Sequence, residues 1–571
     1  MKRLTKASLA VLAASSMLLS ACSGSADNKD KSGSDAKNPT STSEAGGDKG
    51  GNALKSSDYL AASYDELKDG GNLTLAVGEV TKQMNPFHAD MNTDTSAIFA
   101  WYNPQIALYD ENAHWYANPD YIESVKDEVV DGKTVVTWKI NPKATFNDGT
   151  PIDWRAFETV WKMCNGTNND IAVNDTDGYK DMESVKPGAN DKEVVVTYKF
   201  KYPWWKKNFE MIAHPALQDL NTFNTGYVQN AHPEWGAGPY KIKEIDFNAG
   251  HVTFEKNEKW WGQPGKLDLV TLRALDAQAE INAFKNGTVD AVGIGNKDRL
   301  AQTKDMNGIS RYKAVSKSLA LIQLNSKSEA FKDKKVREAF MHAINRETLV
   351  NIRFAGMDYK EPPLGSLLLK PFQDSYEDNM GELGKFDVEK ANTLLDEAGW
   401  KKEGDYRTKD GKTLELHIPQ FSESPITKGL LGALQKMTKD VGMKLELDSY
   451  KPTDFQRVMS ERNFDIVLSG FGQSNPFGMA DVGQVYGSDS QLSKTSLGSP
   501  EIDAMIRKST EADNEAESLK FGNEAEKAAL AQAGWLPLFS GPSMVATKEG
   551  LANLGANGYT TFPKQMLGWK K

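Results

Sequence analysis

The chain has 571 residues, 39% of them hydrophobic and 26% charged, and a formal net charge of −10 at pH 7. That length exceeds what a single core holds and sets an expectation of roughly two to four domains of ordinary globular composition. The acidic balance argues against nucleic acid as a partner, because phosphate backbones are met by a surplus of Lys and Arg.

In chain order, the first element is an export signal. MKRLTK is a basic start, ASLAVLAASSMLL is an apolar run too short to remain as a spanning helix, and small residues follow. Leu19-Ser20-Ala21-Cys22 looks like a bacterial lipobox, in which the Cys22 thiol takes a diacylglycerol and becomes the new N-terminus. The alternative is a plain signal cleaved near Ala21. Acyl chains on Cys22 are expected to hold the protein at a membrane surface with its body in water. Only Cys164 remains after it, so no internal disulfide is expected; Cys164 reads as a buried, inert thiol on a helix. Residues 1–21 are thus assigned to the signal, and residues 22–69, opening in a Ser/Gly/Asp/Lys tract, to a disordered tether.

NLTLAVGEV alternates as a strand and runs into the polar loop TKQMNPFH. DEVVDGKTVVTWKI reads as a hairpin about a DG turn, and KEVVVTYKF as a further strand. LDLVTLRAL, DAQAEINAFKNG and VDAVGIG read as one βαβ unit. After SLALIQLN, the segment DKKVREAFMHAINRETLV places Val336, Ala339, Phe340, Ala343 and Ile344 on one helical face, with Asp333 as N-cap. FDVEKANTLLDEAGW is a second helix, capped by Asp387 and closed by Gly399. TLELHI, a helix, MKLELDSY, a helix and FDIVLSGF then form a βαβαβ run, expected to be a parallel, doubly wound α/β lobe.

In such sheets ligands lie beyond the carboxyl ends of the strands. GFGQSNPFG, residues 470–478, is a loop of that kind: Gly470 and Gly472 permit close backbone approach, and Gln473, Ser474 and Asn475 offer uncharged donors and acceptors. PQFSES leaves another strand of the same lobe, and NPFH and GIGNK leave strands of the first lobe. The competing reading of each is an ordinary turn.

Enzyme signatures are missing. The sequence has no HExxH, CxxC or GxSxG, its DGK stretches lack a phosphate-loop glycine, and GFGQSN has Asn475 where a dinucleotide fingerprint needs its third glycine. VNDTDGYKDMES has Val173 and Ser184 at the end positions of a calcium loop, which does not suit calcium. No cofactor and no metal are expected. Two distant carboxylates are enough for glycoside hydrolysis, so a secreted glycosidase or peptidase stays open as a rival.

Several stretches in order carry a likeness: ATFNDGTPIDWRAFETVWK, GAGPYKIKEI, FEKNEKWWG, AFKNGTVDAV, LALIQLNSKSEAFKDKKVREAFMHAINRETLV, FDVEKANTLLDEAGW, DGKTLEL, VGMKLEL and FDIVLSGF. From about residue 70 onward the chain resembles the peptide-type (dipeptide- and oligopeptide-binding, family 5) solute-binding lipoproteins of ABC importers. The resemblance implies a two-lobed, periplasmic-binding-protein-like α/β fold. Lobe one would comprise 70–317 plus 536–571, with an inserted subdomain at 105–230, and lobe two 318–535; SLALIQLN and LPLF would lie near the crossovers. It implies a monomer without enzymatic activity that captures a peptide or small molecule between the lobes and passes it to an ABC permease. The resemblance places Phe421, Ser422, Phe471 and Ser474 at ligand-contacting positions, and Asn85, Phe87, Trp101, Tyr102, Gly472, Gln473 and Asn475 complete the candidate contacts. One departure matters: where many peptide binders of the family carry an aspartate for the ligand's α-amino group, this chain has Ser474, which cannot replace a buried charge. Asp481 is the nearby acid that could stand in. Oligosaccharides, which suit neutral amides and stacked rings, are the alternative ligand class.

Overall fold

The computed structural model describes residues 54–451, 454–490 and 492–571. The signal, Cys22 and most of the expected tether lie outside the described residues. Residues 54–69 depart from the tether expectation. Asp58–Tyr59 pair with Gly555–Ala556, and Leu67 is buried and bridged to Lys570, so these residues belong to the body.

The first sheet runs Tyr240–Asp246, His251–Lys256, Leu269–Ala274, Asn72–Val77, antiparallel except for the last pair, which is parallel. A second sheet is formed by Ile122–Val130, Lys133–Ile140, Glu193–Tyr198 and Met182–Pro187. Its hairpin turns on Asp131 (φ 50°) and Gly132 (φ 77°), the pair of positive angles that a two-residue turn needs. Lys133–Ile140 turns Thr134, Val136, Trp138 and Ile140 inward, and the helix Trp154–Cys164 covers that face, with Phe157 5.6 Å from Trp138. Asp153 caps this helix by accepting from the Arg155 N–H, and Cys164 is buried at its end, where burial pushes the thiol up and away from reactivity.

The expected βαβ unit at 267–295 is split. Its helix, Ala277–Lys285, forms, but Leu269–Ala274 pairs with Asn72–Val77 while Ala291–Gly293 joins Pro542–Lys548 and Ile309–Val315 in another, antiparallel sheet. Asp290 joins the two sheets: its N–H donates to the Thr74 carbonyl, its carboxylate accepts from the Thr74 N–H, and Lys548 Nζ lies 2.6 Å from that carboxylate.

Ser318–Leu324 carries the chain out of this set of sheets and Trp535–Phe539 carries it back. The two run antiparallel, with Ile466–Gly472 on the other edge of Ser318–Leu324. This corrects the expected all-parallel run. Glu415–Gln420 and Lys444–Ser449 are parallel as anticipated, and FDIVLSGF lies beside the first of them, with the Asp465 N–H donating to the His417 carbonyl and the His417 N–H to the Asp465 carboxylate, but no ladder joins these two strands. Its ladder goes antiparallel to Ser318–Leu324, a partner more than a hundred residues upstream, which local periodicity does not reveal. The helices between fall close to expectation. Asp333 caps Lys334–Ala343 and Asp387 caps Val388–Glu397, each accepting a backbone N–H, and Gly399 follows at φ 85°. Ile344 lies outside its helix because Asn345 caps a new one, Arg346–Arg353.

The crossover is the middle of the core. Leu319, Leu321, Ile322, Leu324, Trp535, Leu536 and Leu538 are fully buried in one continuous apolar cluster. Leu321→Ala is expected to cost about 2–5 kcal/mol of unfolding free energy, because the paired strands cannot collapse onto the cavity. Urea denaturation checks this, and a loss under about 1 kcal/mol would show a loosely packed crossover.

Candidate functional site

The segment 470–478 leaves the Ile466–Gly472 strand beside the crossover. Gly470 is required by close approach: a Cβ there would meet the Leu319 carbonyl at 2.9 Å. Gly478 is tighter still, its Cβ falling on the Leu368 carbonyl. Gln473 is not a free amide. Its backbone N–H donates to the Lys317 carbonyl (3.1 Å), its Nε2 to the Leu368 carbonyl (2.6 Å), and its Oε1 accepts from the Tyr559 hydroxyl (2.8 Å). Asn475 is buried. Its Oδ1 accepts from the Phe477 N–H, and its side chain also bonds to the Glu210 carboxylate. Phe471 is buried, whereas Gly472 and Ser474 remain open to water.

The segment therefore meets residues that come from far away in the chain. Phe477 lies 6.1 Å from Tyr109 and 6.2 Å from Trp204, and the Trp204 indole N–H donates to Ser518 Oγ at 2.8 Å. Lys207 Nζ lies 2.6 Å from Asp481 Oδ1 and 3.5 Å from Asp175 Oδ2. Burial pulls the Lys207 ammonium down, but Asp175, Asp481 and Asp177 together outweigh it and hold it well above its ordinary value. The acidic run dismissed as a calcium loop thus supplies counter-charge to Lys207. Asp481, the stand-in considered for the missing aspartate, is engaged by the same lysine; burial nevertheless raises its carboxyl.

Beside these contacts lies a cavity of about 460 Å³, walled by Trp115, Trp204, Phe372, Phe477, Leu519 and Tyr559, with Glu111, Lys206 and Asp374 at its polar parts. Among the described residues no group of three or more His, Cys, Asp or Glu side chains is placed to hold a metal ion, and no helix is long and apolar enough to cross a membrane.

The other sequence candidates divide. Trp101 is buried, stacked on Phe254 at 6.0 Å, with Lys564 Nζ 5.3 Å from its ring centre. Phe87 packs edge-on to Phe99. Asn85 is fully buried, donating to the Phe223 carbonyl and accepting from the Phe87 N–H, and the Tyr102 hydroxyl donates to the Ala231 carbonyl. Both have their polar groups committed inside the fold, contrary to the expectation of ligand contacts. Phe421 stacks on Tyr450 and packs against Phe455, half-buried against a small cluster that includes Val458, Phe464 and Val467. Ser422 accepts from the Ser424 N–H at the following helix start. Sequence reading missed Glu210, Tyr109, Lys317, Tyr559 and Lys564, none of which stands in a motif.

An α/β body whose chain passes out and back through two paired strands, with buried polar contacts between the parts, is that of a two-lobed solute-binding protein. The chain belongs to the bacterial extracellular solute-binding proteins, family 5, whose model matches residues 116–493. The members are extracytoplasmic binding proteins and not enzymes. The oligopeptide-binding protein OppA of Mycobacterium tuberculosis is 28% identical over 512 residues, 88% of this chain and 86% of its own. The oligopeptide-binding protein AppA of Bacillus subtilis is 25% identical over 368 residues, 62% of this chain and 65% of its own. Among solved structures, the periplasmic EDTA-binding protein EppA superposes with a TM-score of 0.81 at 24% identity, covering 91% of this chain and 99% of that one. AppA from Bacillus subtilis in complex with a nonapeptide superposes with a TM-score of 0.72 at 18% identity, covering 88% and 100%.

Replacing Lys207 by Met leaves Asp481 facing Asp175 with no cation between them. Breaking a fully buried pair from one side costs about 3–5 kcal/mol, and because 23% of the Asp481 side chain stays in water, roughly 2 kcal/mol is expected in urea unfolding, together with a larger radius of gyration by X-ray scattering. No change in either would show that the pair does not hold the Trp205–Lys207 turn to the Gly478–Asp481 turn.

Proposed function

We propose that the protein captures peptides in the gap between its lobes and delivers them to an ABC permease while tethered by lipid on Cys22. Lobe one is taken as 70–317 plus 536–571, with the insert 105–230, and lobe two as 318–535. The observation that carries this reading is the placement of 470–478, a strand-end segment that bonds to Tyr559 and Glu210 across the gap while Gly472 and Ser474 stay open to water. The open backbone there suits main-chain hydrogen bonding to an extended guest. The 28% identity to an oligopeptide-binding protein across most of the chain favours peptides over sugars. Closure follows from the geometry: a ligand that touches both lobes favours the state in which they meet, and a permease can then tell loaded protein from empty. Phe471, Gly472 and Ser474 stay as the proposed contacts of this loop, with Gln473 and Asn475 fixing its position.

Incubating the purified chain with mixed peptides and mixed oligosaccharides, followed by native mass spectrometry, checks the reading. Intact bound peptides are the expected result; bound sugars alone, or cleavage products of either mixture, contradict it. For the anchor, Cys22→Ala is expected to move the protein from the membrane fraction to the soluble fraction, and continued membrane association of the variant would rule the lipid out.

A further inference from the structure

Between residues 200 and 208 two sets of side chains, each spaced by three, reach in different directions. Tyr202, Trp205 and Asn208 are buried against their own sheet: the Tyr202 N–H donates to Thr134 Oγ1 at 2.8 Å, the Trp205 ring lies edge-on 5.4 Å from Trp115 and 5.8 Å from Trp138, and Asn208 donates to the Asp177 carbonyl at 3.0 Å. Lys201, Trp204 and Lys207 reach elsewhere. Lys201 Nζ lies 2.5 Å from Asp513 Oδ1, the Trp204 indole N–H donates to Ser518 Oγ at 2.8 Å, and Lys207 Nζ lies 2.6 Å from Asp481 Oδ1. The spacing suits the 3-10 turn Trp205–Lys207, a conformation that repeats every three residues.

The three partners belong to one layer of packed helices. Asp481 leads into Val482–Tyr486, Asp513 links Pro500–Thr510 to Glu515–Leu530, and Ser518 stands on the last of these. They lie 274 to 314 residues further along the chain, so no short connection ties the two sides. Ser518 is oriented for its part, since its hydroxyl donates to the Ser509 carbonyl at 2.7 Å and leaves a lone pair for the indole. The contact differs in kind from the crossover. Lys201 and Asp513 keep 35% and 63% of their side chains in water, and the cavity of about 460 Å³ lies alongside, lined from one side by Trp204 and Lys206 and from the other by Phe477, Glu515 and Leu519. A polar, partly wet and incompletely filled contact parts more readily than the close-packed core around Leu321 and Trp535.

We propose that residues 201–207 are a charge-assisted strap, in which Lys201, Trp204 and Lys207 close one side of the cavity on the 481–518 helical layer and release it to admit a solute. Tyr202, Trp205 and Asn208 fix the strap to its sheet, so that it moves as one piece with that sheet. The strap rests on the solute-capture reading and adds the motion that lets the solute in. A shut strap must open before a guest enters, and a guest that touches both sides then favours its closing again.

Exchange of the Trp204 indole proton with solvent, followed by NMR on the full chain carrying isotopically labelled tryptophan, is the test, because that proton is held by Ser518 only while the strap is shut. The Trp535 indole, fully buried in the crossover, reports global unfolding. Without added peptide, Trp204 is expected to exchange at least about tenfold faster than Trp535. Lys201→Met with Lys207→Met is expected to speed Trp204 exchange by a further factor of roughly ten, and Lys201→Met alone, at an exposed pair, by roughly threefold, which decides the matter if the double variant does not fold. Raising salt from about 0.01 M to about 1 M, which cuts the screening length from about 30 Å to about 3 Å, is expected to speed it severalfold in the wild type and not in the double variant. A saturating pool of short peptides is expected to slow it at least about tenfold. Trp204 exchanging at the Trp535 rate, or indifferent to salt and to the lysines, overturns the strap. Peptides that bind by native mass spectrometry without slowing Trp204 overturn the strap and leave capture standing. Exchange that depends on salt and on the lysines while no peptide binds supports the strap and overturns peptide capture alone.

Discussion

The passage of the chain between its halves is the constraint on which everything else depends. Ser318–Leu324 and Trp535–Phe539 are antiparallel neighbours whose side chains are almost wholly buried, so they are held both by ladder hydrogen bonds and by the core. A connection of that kind bends but does not come apart. Ile466–Gly472 adds itself to the same short sheet, so the loop that follows it is fixed relative to the crossover rather than to a remote edge of lobe two. The position of 470–478 is in this sense set by the crossover.

Polar chemistry between the lobes is divided between contacts that are complete and contacts that are not. Gln473 with Tyr559, Asn475 with Glu210, Trp204 with Ser518 and Lys207 with Asp481 each satisfy their partners, and such satisfied contacts hold one arrangement of the lobes at little net gain in stability. The exposed backbone of Gly472 belongs to the second kind. Rigid, satisfied contacts position the gap, and unsatisfied groups supply what a solute can complete. The cavity beside Phe477 and Tyr559 sets aromatic walls next to charged groups.

Much of this was legible in the residues, and what was not has physical reasons. Local devices read well: the Asp131-Gly132 turn, the Asp333 and Asp387 caps and the Gly399 stop all depend on neighbours within a few positions. Strand pairing read less well. FDIVLSGF has the composition of a buried parallel strand, and only the long-range ladder to Ser318–Leu324 makes it part of the crossover. The 470–478 segment was legible as a loop, but its contacts were not. Amides such as Gln473 and Asn475 look available in a sequence, yet a buried amide must be paired, and the partners that pair them, Tyr559 and Glu210, lie far away in the chain. Asn85 and Tyr102 are committed inside the fold for the same reason: a polar or aromatic residue near a strand end serves the core as readily as a ligand.

At the centre of this account is the proposal that the strand-tip segment 470–478 closes over a guest. Amide hydrogen exchange of the full chain, with and without a saturating peptide pool, measures this directly. Slower exchange across 470–478 on addition of the pool is the outcome the account predicts. Bound peptide that protects a distant surface while leaving these amides unchanged would contradict it.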